Sequence, residues 1–472
     1  MTRTDRPTVV LLNPPGTQRY LRDCYCSSVD KANYYWAPLD LLMQSAHLDA
    51  DFEISLVDGI LQRMTPEQCV ATVEAKNPVA VVALCSHLSW QEDRPFLAEL
   101  KRRVGAPLFV SGDLPRFQDQ AVMERCEFID GVLLDLTTPD IAHRLREGAF
   151  PENTSVTHRE NGEIVSGSLK GLKWFEHPLP RHDLFWKMGY NFPLGLREPL
   201  ASVLTMHGCP YKCDYCNTGM IHFSRRKFDN MEMELDWLKA QGVRSLKIRD
   251  ATFNFSRQHV FDFCDLLMRK DYGFKWFCYG RAETLQEDEI EIMSRAGCRF
   301  VAFGIESGSP EILLEHKDRN DTDTVINTLR ACRRHGIETL GHFVIGLTGE
   351  NEVTLEQTRQ FVRGLPLDFA SFNLFDPRPG ALLLGEKVTV DQAELTQIPS
   401  PTLDGEFAGG GGSYAEGLTV DDLKRWRAAL YRTFYLRPGY LWRRLTRIGD
   451  LETLRNYLRQ GYRVVLTGLR GA

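Results

Sequence analysis

The sequence predicts an α/β protein: an N-terminal doubly wound, Rossmann-like parallel sheet over 1–150, a connector over 151–200, a partial (β/α)6 barrel over 201–380, and a loop-rich, mostly helical region over 381–472. Three observations predict this. Short apolar runs alternate with amphipathic stretches through 1–150 and again through 201–380, the pattern of parallel strands joined by crossover helices. A stretch punctuated by Pro178, Pro180, Pro193 and Pro199 separates the two series. Of the 472 residues, 43% are apolar and 25% charged, an ordinary globular composition long enough for several cores.

In the first series the strand candidates are Val9–Leu12, Phe52–Val57, Val79–Leu84, Pro107–Val110 and Ile129–Leu134. Val79–Leu84 is apolar throughout, as a strand covered on both faces should be. Thr65 followed by Pro66 marks a helix start, and Phe96–Arg103 and Pro139–Arg146 read as further helices. A sheet of this kind has its ligand crevice at the strand C-termini. Asn161-Gly162 between alternating stretches predicts a hairpin.

The second series offers strands at Ala201–Thr205, Ser245–Ile248, Trp276–Tyr279, Phe300–Phe303, Gly341–Ile345 and Phe369–Leu374. Helical stretches at Met231–Gln241, Val260–Arg269, Glu287–Ala296, Thr322–Arg334 and Thr354–Arg363 separate them. Gly409–Gly412 reads as a flexible segment, and Thr419 with Asp422 as the start of a strong helix.

The net charge of −6 conceals an asymmetry. Residues 424–472 hold twelve Lys/Arg against two Asp/Glu, a balance of +10, which leaves −16 for the rest. So acidic a body argues against nucleic-acid binding. The basic tail interleaves Arg425, Arg427, Arg432, Arg437, Arg443, Arg444 and Arg447 with Trp426, Tyr431, Phe434, Tyr435, Tyr440 and Trp442. Such a helix can touch an anionic membrane or hold a phosphorylated substrate; the simpler expectation is that it docks its aromatics on the barrel. No run of 18 apolar residues and no signal-type leader are present, so a cytoplasmic setting without a membrane span is expected.

In a reducing compartment most of the twelve cysteines are expected to be small buried hydrophobes. Cys24 and Cys26 form one loose pair that is a weak candidate for a second metal site. Three others stand together on one loop after the first barrel strand: Cys209, Cys213 and Cys216, spaced C-x3-C-x2-C. Thiolates at this spacing suit an iron–sulfur cluster or zinc. Structural zinc takes four ligands; with no fourth cysteine nearby, His207 or His222 would have to be recruited. A non-catalytic iron–sulfur or zinc protein is thus one reading. A [4Fe–4S] cluster on three cysteines, with one iron left open to chelate a small molecule, is the other.

With Tyr215 at the aromatic position before the third cysteine, the loop resembles the signature of the radical S-adenosylmethionine (SAM) superfamily. Ser245–Asn254, Phe303-Gly-Ile-Glu306-Ser307-Gly308 and Gly341–Gly346 running on to Glu350 resemble that family's later strand ends. The resemblance implies a cluster on the three cysteines and SAM on the open iron. It further implies that Tyr215, Asp250, Arg281, Glu306, Ser307 and Gly346 contact SAM. The implied chemistry is reductive cleavage of SAM to methionine and a 5′-deoxyadenosyl radical, which takes hydrogen from an unactivated carbon of a small-molecule substrate. An electron donor such as flavodoxin or ferredoxin is implied as a partner. No general acid or base is assigned.

The α/β unit ahead of the barrel, with Asn13-Pro14-Pro15 after its first strand, resembles the cobalamin-binding-domain subfamily. Cobalamin is therefore a candidate third cofactor, relaying a methyl group. The chain departs from that pattern: Asp58-Gly59-Ile60-Leu61-Gln62 lacks the cobalt-ligating His, Ser111-Gly112 stands for Gly-Gly, and Leu134–Thr138 stands for Gly-Glu. His87 is an alternative axial group or a polar loop residue. A non-methylating dehydratase or cyclase that binds no cobalamin, like the aminoglycoside radical dehydratases, is the alternative.

Overall fold

The computed structural model describes residues 6–446 except Cys26, 30–34, Lys170, 191–198, Asp318, Asn320 and 376–413. Pro193, Gly409–Gly412, Arg447 and the Cys26 half of the Cys24/Cys26 pair lie outside the described residues.

The N-terminal sheet contains β1 (Thr8–Asn13), β2 (Glu53–Asp58), β3 (Ala80–Leu84), β4 (Leu108–Ser111), β5 (Gly131–Leu133), β6 (Val156–Glu160) and β7 (Glu163–Val165). They lie in the order β2-β1-β3-β4-β5-β6-β7. The first five are parallel and the last two antiparallel. Side chains alternate between two cores, Val10, Leu12, Val81 and Val110 on one face and Val9, Leu11, Val82 and Phe109 on the other. The apolar runs of the sequence are therefore strands sandwiched by helices. Order reverses between β1 and β3, the switch point where such sheets open a crevice. Asn161 and Gly162 both have positive φ, 53° and 88°, the backbone a tight primed turn demands. The hairpin extends the sheet rather than standing apart.

Two features differ from the sequence expectation. The helix expected at Phe96–Arg103 begins at Trp90, ahead of Pro95. Its first turn is held from outside: Asp93, fully buried, accepts from Ser89 Oγ at 2.6 Å and Arg22 Nη2 at 2.6 Å. Short helices at Asp113–Phe117 and Asp119–Arg125 follow β4 where none was expected.

The second sheet runs β8 (Leu200–Val203), β9 (Ser245–Ile248), β10 (Lys275–Gly280), β11 (Cys298–Glu306), β12 (Glu338–Ile345) and β13 (Phe369–Leu374), all parallel and in chain order. This is the expected partial barrel, open between β8 and β13. Leu246, Ile248, Trp276, Cys278 and Phe303 pack outward under the helices. Phe277, Phe300 and Ala302 pack inward with Leu200, Leu340 and Phe369. A buried charge group ties the connector to the first barrel helix (Phe228–Ala240). Glu234 meets Arg226 and accepts from His182 Nε2 at 2.6 Å.

The described part of the basic tail docks. The helix Val420–Tyr435 starts at a capping box between Thr419 and Asp422, and Tyr435 Oη donates to the Ala370 carbonyl at 2.8 Å. Arg437 donates to the carbonyls of Val362, Arg363 and Leu365, and Arg443 to that of Leu367. These arginines donate to backbone oxygens at and just beyond the end of the helix Glu352–Gly364. Among the described residues no helix is long and apolar enough to cross a membrane.

Candidate active site

Beyond β8 the chain reverses at Gly208, whose φ is +76°. A side chain there would sit 2.6 Å from the His222 carbonyl oxygen, so the close return of the loop requires glycine. The loop that follows carries the three cysteines. Eleven cysteines are described and none is in a disulfide; Cys209, Cys213 and Cys216 are half-buried, whereas the other eight are buried. The three that sequence spacing singles out are thus the three described cysteines that are not fully buried.

Charge around them is organised by β10 and β11. Arg281, just past β10, lies with its guanidinium 4.2 Å from the Tyr211 ring centroid and donates to Cys213 Sγ at 3.7 Å. It pairs with Glu283 at 2.8 Å, and Lys317 pairs with the same carboxylate at 2.9 Å. Burial pushes the Cys213 thiol up, and Arg281 opposes that shift. Cys209 Sγ lies 3.6 Å from Thr252 Oγ1. A neighbouring cation and a hydroxyl suit thiolate ligands.

Glu306 ends β11 with φ +70°, a left-handed backbone uncommon for a side-chain-bearing residue. Its carboxylate folds back over Gly304, where a Cβ would overlap Oε1. Burial raises its pKa, while Lys317 and a hydrogen bond from Tyr215 act against the rise. Cys213, Tyr215, Arg281 and Glu306 are therefore gathered at one place.

Asp250, Ser307 and Gly346, which the resemblance also put on SAM, are engaged within the protein. Asp250 is fully buried and accepts from the backbone N–H of Thr205 at 2.8 Å and of Met206 at 3.1 Å, and from the Thr205 hydroxyl. His259 Nε2 meets the same hydroxyl at 2.9 Å. Ser307 Oγ meets Thr358 Oγ1 at 3.0 Å and accepts from the Ser309 N–H at 3.1 Å. Gly346, φ +94°, donates its N–H to Glu350, and a Cβ there would press on Leu423 at 2.8 Å. The histidines that a zinc site would recruit are engaged elsewhere. His207 faces Asp135 and Arg116, each at 3.5 Å, and His222 Nε2 lies 3.1 Å from the Leu172 carbonyl.

Sequence reading missed Glu283, Lys317 and His316. Glu283 Oε2 is a buried acceptor with no hydrogen-bond partner inside this cluster of cations. His316 ties the loop to the end of β12, its Nδ1 2.9 Å from Asp214 and its Nε2 2.8 Å from the Thr348 carbonyl. The available signal was position: Glu283 follows Arg281 by two residues at a strand end.

Burial lifts the Asp250 carboxyl to about 7, against the pull of its three hydrogen bonds. A carboxyl raised on folding stabilises the native state fully below about pH 4 and loses that contribution as pH rises toward 7. Wild-type stability is expected to fall by about 2–4 kcal/mol more than that of Asp250→Asn between pH 4.5 and 7.5. Urea denaturation at the two pH values measures the difference, and parallel curves would refute it.

An open α/β barrel presents three half-exposed cysteines on the loop after its first strand, a donor set suited to an iron–sulfur cluster. Residues 203–362 match the family model of the radical SAM superfamily. This part of the chain is a radical SAM domain and the protein is a radical SAM enzyme, with a [4Fe–4S] cluster and SAM as the cofactors that membership implies. An uncharacterised methyltransferase of Pyrococcus horikoshii is 24% identical over 422 residues, covering 86% of this chain and 89% of that protein. The structure of TsrM from Kitasatospora setae, a radical SAM methyltransferase with cobalamin and a [4Fe–4S] cluster bound, superposes with TM-score 0.66 at 17% identity, covering 92% of this chain and 90% of that one. OxsB, a cobalamin-dependent SAM radical enzyme with aqua-cobalamin and SAM bound, superposes with TM-score 0.69 at 14% identity over 98% of this chain and 72% of that one.

Proposed function

We propose that the protein transfers a methyl group to a carbon of a small metabolite by radical SAM chemistry, with cobalamin as the methyl carrier. The observation that carries the radical half is the gathering of half-exposed Cys213 with Arg281, Tyr215 and Glu306. In this reading Cys209, Cys213 and Cys216 ligate the cluster. Arg281 neutralises thiolate charge, and Glu306 and Glu283 receive the cationic and hydroxyl groups of SAM. Asp250, through Thr205, sets the angle at which the loop leaves β8. When bound, cluster and SAM together supply one-electron cleavage and a carbon-centred oxidant; the protein's part is to orient them and exclude water.

Cobalamin is supported by the strand-end face of the N-terminal sheet. There Ser111 Oγ, Asp40 Oδ2, Gln44 Oε1 and Arg116 Nη2 are buried without hydrogen-bond partners. Buried polar atoms left this way point to a polar ligand, and a corrin ring edged with amides fits them. His87 is tied to Asp113, by its N–H at 3.0 Å and by Nδ1 at 2.7 Å, an arrangement that fixes the ring and suits a loop histidine and a cobalt-ligating one alike.

A second reading, non-methylating radical chemistry, is favoured by one observation. The ends of β1 and β2 are closed by Arg22, which donates to Asn13 at 2.8 Å and Asp93 at 2.6 Å, and by Asp58, which accepts from Tyr190 at 2.6 Å. Product analysis decides. Methyl transfer gives S-adenosylhomocysteine, 5′-deoxyadenosine and a product heavier by one methyl; 5′-deoxyadenosine without S-adenosylhomocysteine would rule it out. A corrinoid spectrum should persist in protein made with cobalamin available. No described cysteine is in a disulfide, which supports a reducing, cytoplasmic setting with a flavodoxin- or ferredoxin-type donor.

A further inference from the structure

The cysteine loop meets solvent along a strip of side chains that the cofactor site does not use. The short helix Asn217–Met220 follows Cys216 directly. It packs against the chain between Cys209 and Cys213: a side chain on Gly219 would lie 2.5 Å from the Tyr211 carbonyl oxygen and 3.3 Å from the Lys212 Cα. Just past it, His222 Nε2 lies 3.1 Å from the Leu172 carbonyl. The Arg225 N–H donates to the Lys173 carbonyl at 3.0 Å. Trp174 and Arg225 are register partners in adjacent short strands, and the Arg225 guanidinium lies 4.0 Å from the Trp174 ring centroid. These contacts run without a break from Lys212 and Met220 to Leu172, Lys173, Trp174 and Arg225. The apolar members are open: Leu172 is 53% exposed, Met220 46% and Trp174 39%. Lys173 and Lys212 are exposed as well. Among the described residues no carboxylate pairs with Lys173, Lys212 or Arg225, whereas Lys227, next along, is met by Glu176. The one acid of the cysteine loop, Asp214, is taken by His316 at 2.9 Å.

We propose that this strip is the docking surface for the electron donor, and that the donor is a small acidic protein carrying one electron at a time. The proposal rests on the cluster reading of the cysteine loop above and adds the surface its partner takes. Three points argue for it. Each reductive cleavage of SAM needs one electron from outside the chain: the carrier is oxidised by one electron and the cluster reduced by one, and the strip begins on the loop that holds the cluster. Charge sets the landing place. Residues 167–175 and 208–227 hold six Lys/Arg against one Asp/Glu, in a body whose balance is −16. A basic spot on an acidic body draws an acidic partner, while the surface around it repels the same partner and so fixes where it lands. Composition is the third point. Leucine, methionine and tryptophan side chains left open and rimmed by cations make a recognition patch, not ordinary surface. The basic tail is a poorer landing place, because its arginines Arg437, Arg443 and Arg444 are spent on backbone carbonyls and on Glu338.

Oxidised flavodoxin, an acidic carrier, is the probe, titrated calorimetrically into the reconstituted, SAM-bound protein. It is expected to bind, and to bind about tenfold more weakly when salt is raised from about 25 to about 250 mM. The double variant Lys173→Glu/Arg225→Glu, and separately Leu172→Asp, should each weaken binding about tenfold. Arg269→Glu, a charge reversal on an exposed barrel helix, should leave it unchanged. The strip variants should cleave SAM at the wild-type rate when dithionite supplies the electron and far more slowly when reduced flavodoxin does. In wild type, carbodiimide should join flavodoxin carboxylates to Lys173 or Lys212, read by peptide mass spectrometry, a measurement that requires no variant to fold. Unchanged affinity in the strip variants, no binding at about 100 µM, or cross-links confined to other lysines would overturn the proposal. Equal loss of dithionite-driven and flavodoxin-driven cleavage would overturn it too, and make the strip a support of the cysteine loop. Wild-type cleavage with dithionite is scored separately. Its absence defeats the cluster reading itself, whereas cleavage with dithionite but no docking defeats only the partner's surface.

Discussion

Cys213→Ala protein, reconstituted anaerobically with iron and sulfide, is expected to carry iron at background level and to lack the cluster's visible absorbance. Three protein thiolates hold the proposed cluster, and with one removed two irons would lack protein ligands. The loss is expected to be all-or-none because the site offers no substitute. Arg281 and Lys317 beside it are cations, and His207 and His222 are engaged with other partners. Cys298→Ala is the matched control. Cys298 is fully buried at the start of β11, and its replacement should leave iron content unchanged. Iron retained by Cys213→Ala would count heavily against the loop as the cluster site.

The largest loss of stability is expected from Glu234→Ala. Arg226 is fully buried and its charge is met by Glu234, which also receives His182. Removing one partner of a buried pair leaves the other charged and desolvated, at a cost of about 3–5 kcal/mol. Burial works to raise the Glu234 carboxyl, but Arg226 and His182 outweigh it and hold it well below the usual carboxylate range. A carboxyl depressed on folding stabilises the protein above about pH 4.5 and loses that contribution as pH falls below it. The melting temperatures of wild type and variant should therefore differ widely at pH 7 and converge in acid. A gap as wide at pH 3 as at pH 7 would mean the cost is packing rather than charge.

Much of the fold was legible because local chemistry and tertiary structure agree. Strands covered on both faces read as unbroken apolar runs, and Asn161-Gly162 announced its turn. Where they disagree, sequence reading stopped short. Pro95 looks like a helix boundary, yet Asp93 is anchored by Arg22, some seventy residues earlier, and that long-range bond lets the helix begin ahead of the proline. The cysteine loop was legible because its ligands are adjacent in sequence. Glu283 and Lys317 were not, since they meet only when β10 and β11 pair. Asp250, Ser307 and Gly346 had chemistry in view but not direction. Nothing in a strand-end aspartate tells whether it faces a ligand or, as here, the backbone of Thr205. The burial of Lys247 on β9 was invisible for the same reason: a lysine between two apolar residues reads as an exposed strand position.

The Lys247 amine lies 2.8 Å from the centroid of the Trp36 ring, and this contact has a partner just past the end of β9. Arg249, buried, pairs with Asp23 and donates to the Ala37 carbonyl at 2.9 Å. Tyr25 Oη, also from the N-terminal unit, meets the N–H of Gly208 at the root of the cysteine loop. The proline-rich connector looks like a seam at which two modules could be separated or exchanged, yet the second strand of the barrel is finished by side chains from the first thirty-seven residues. A barrel taken alone would keep Arg249 without its carboxylate and Lys247 without its ring. In evolutionary terms the two units cannot be shuffled independently: any replacement for the N-terminal unit would have to bring a tryptophan, an aspartate and a tyrosine to the same three places.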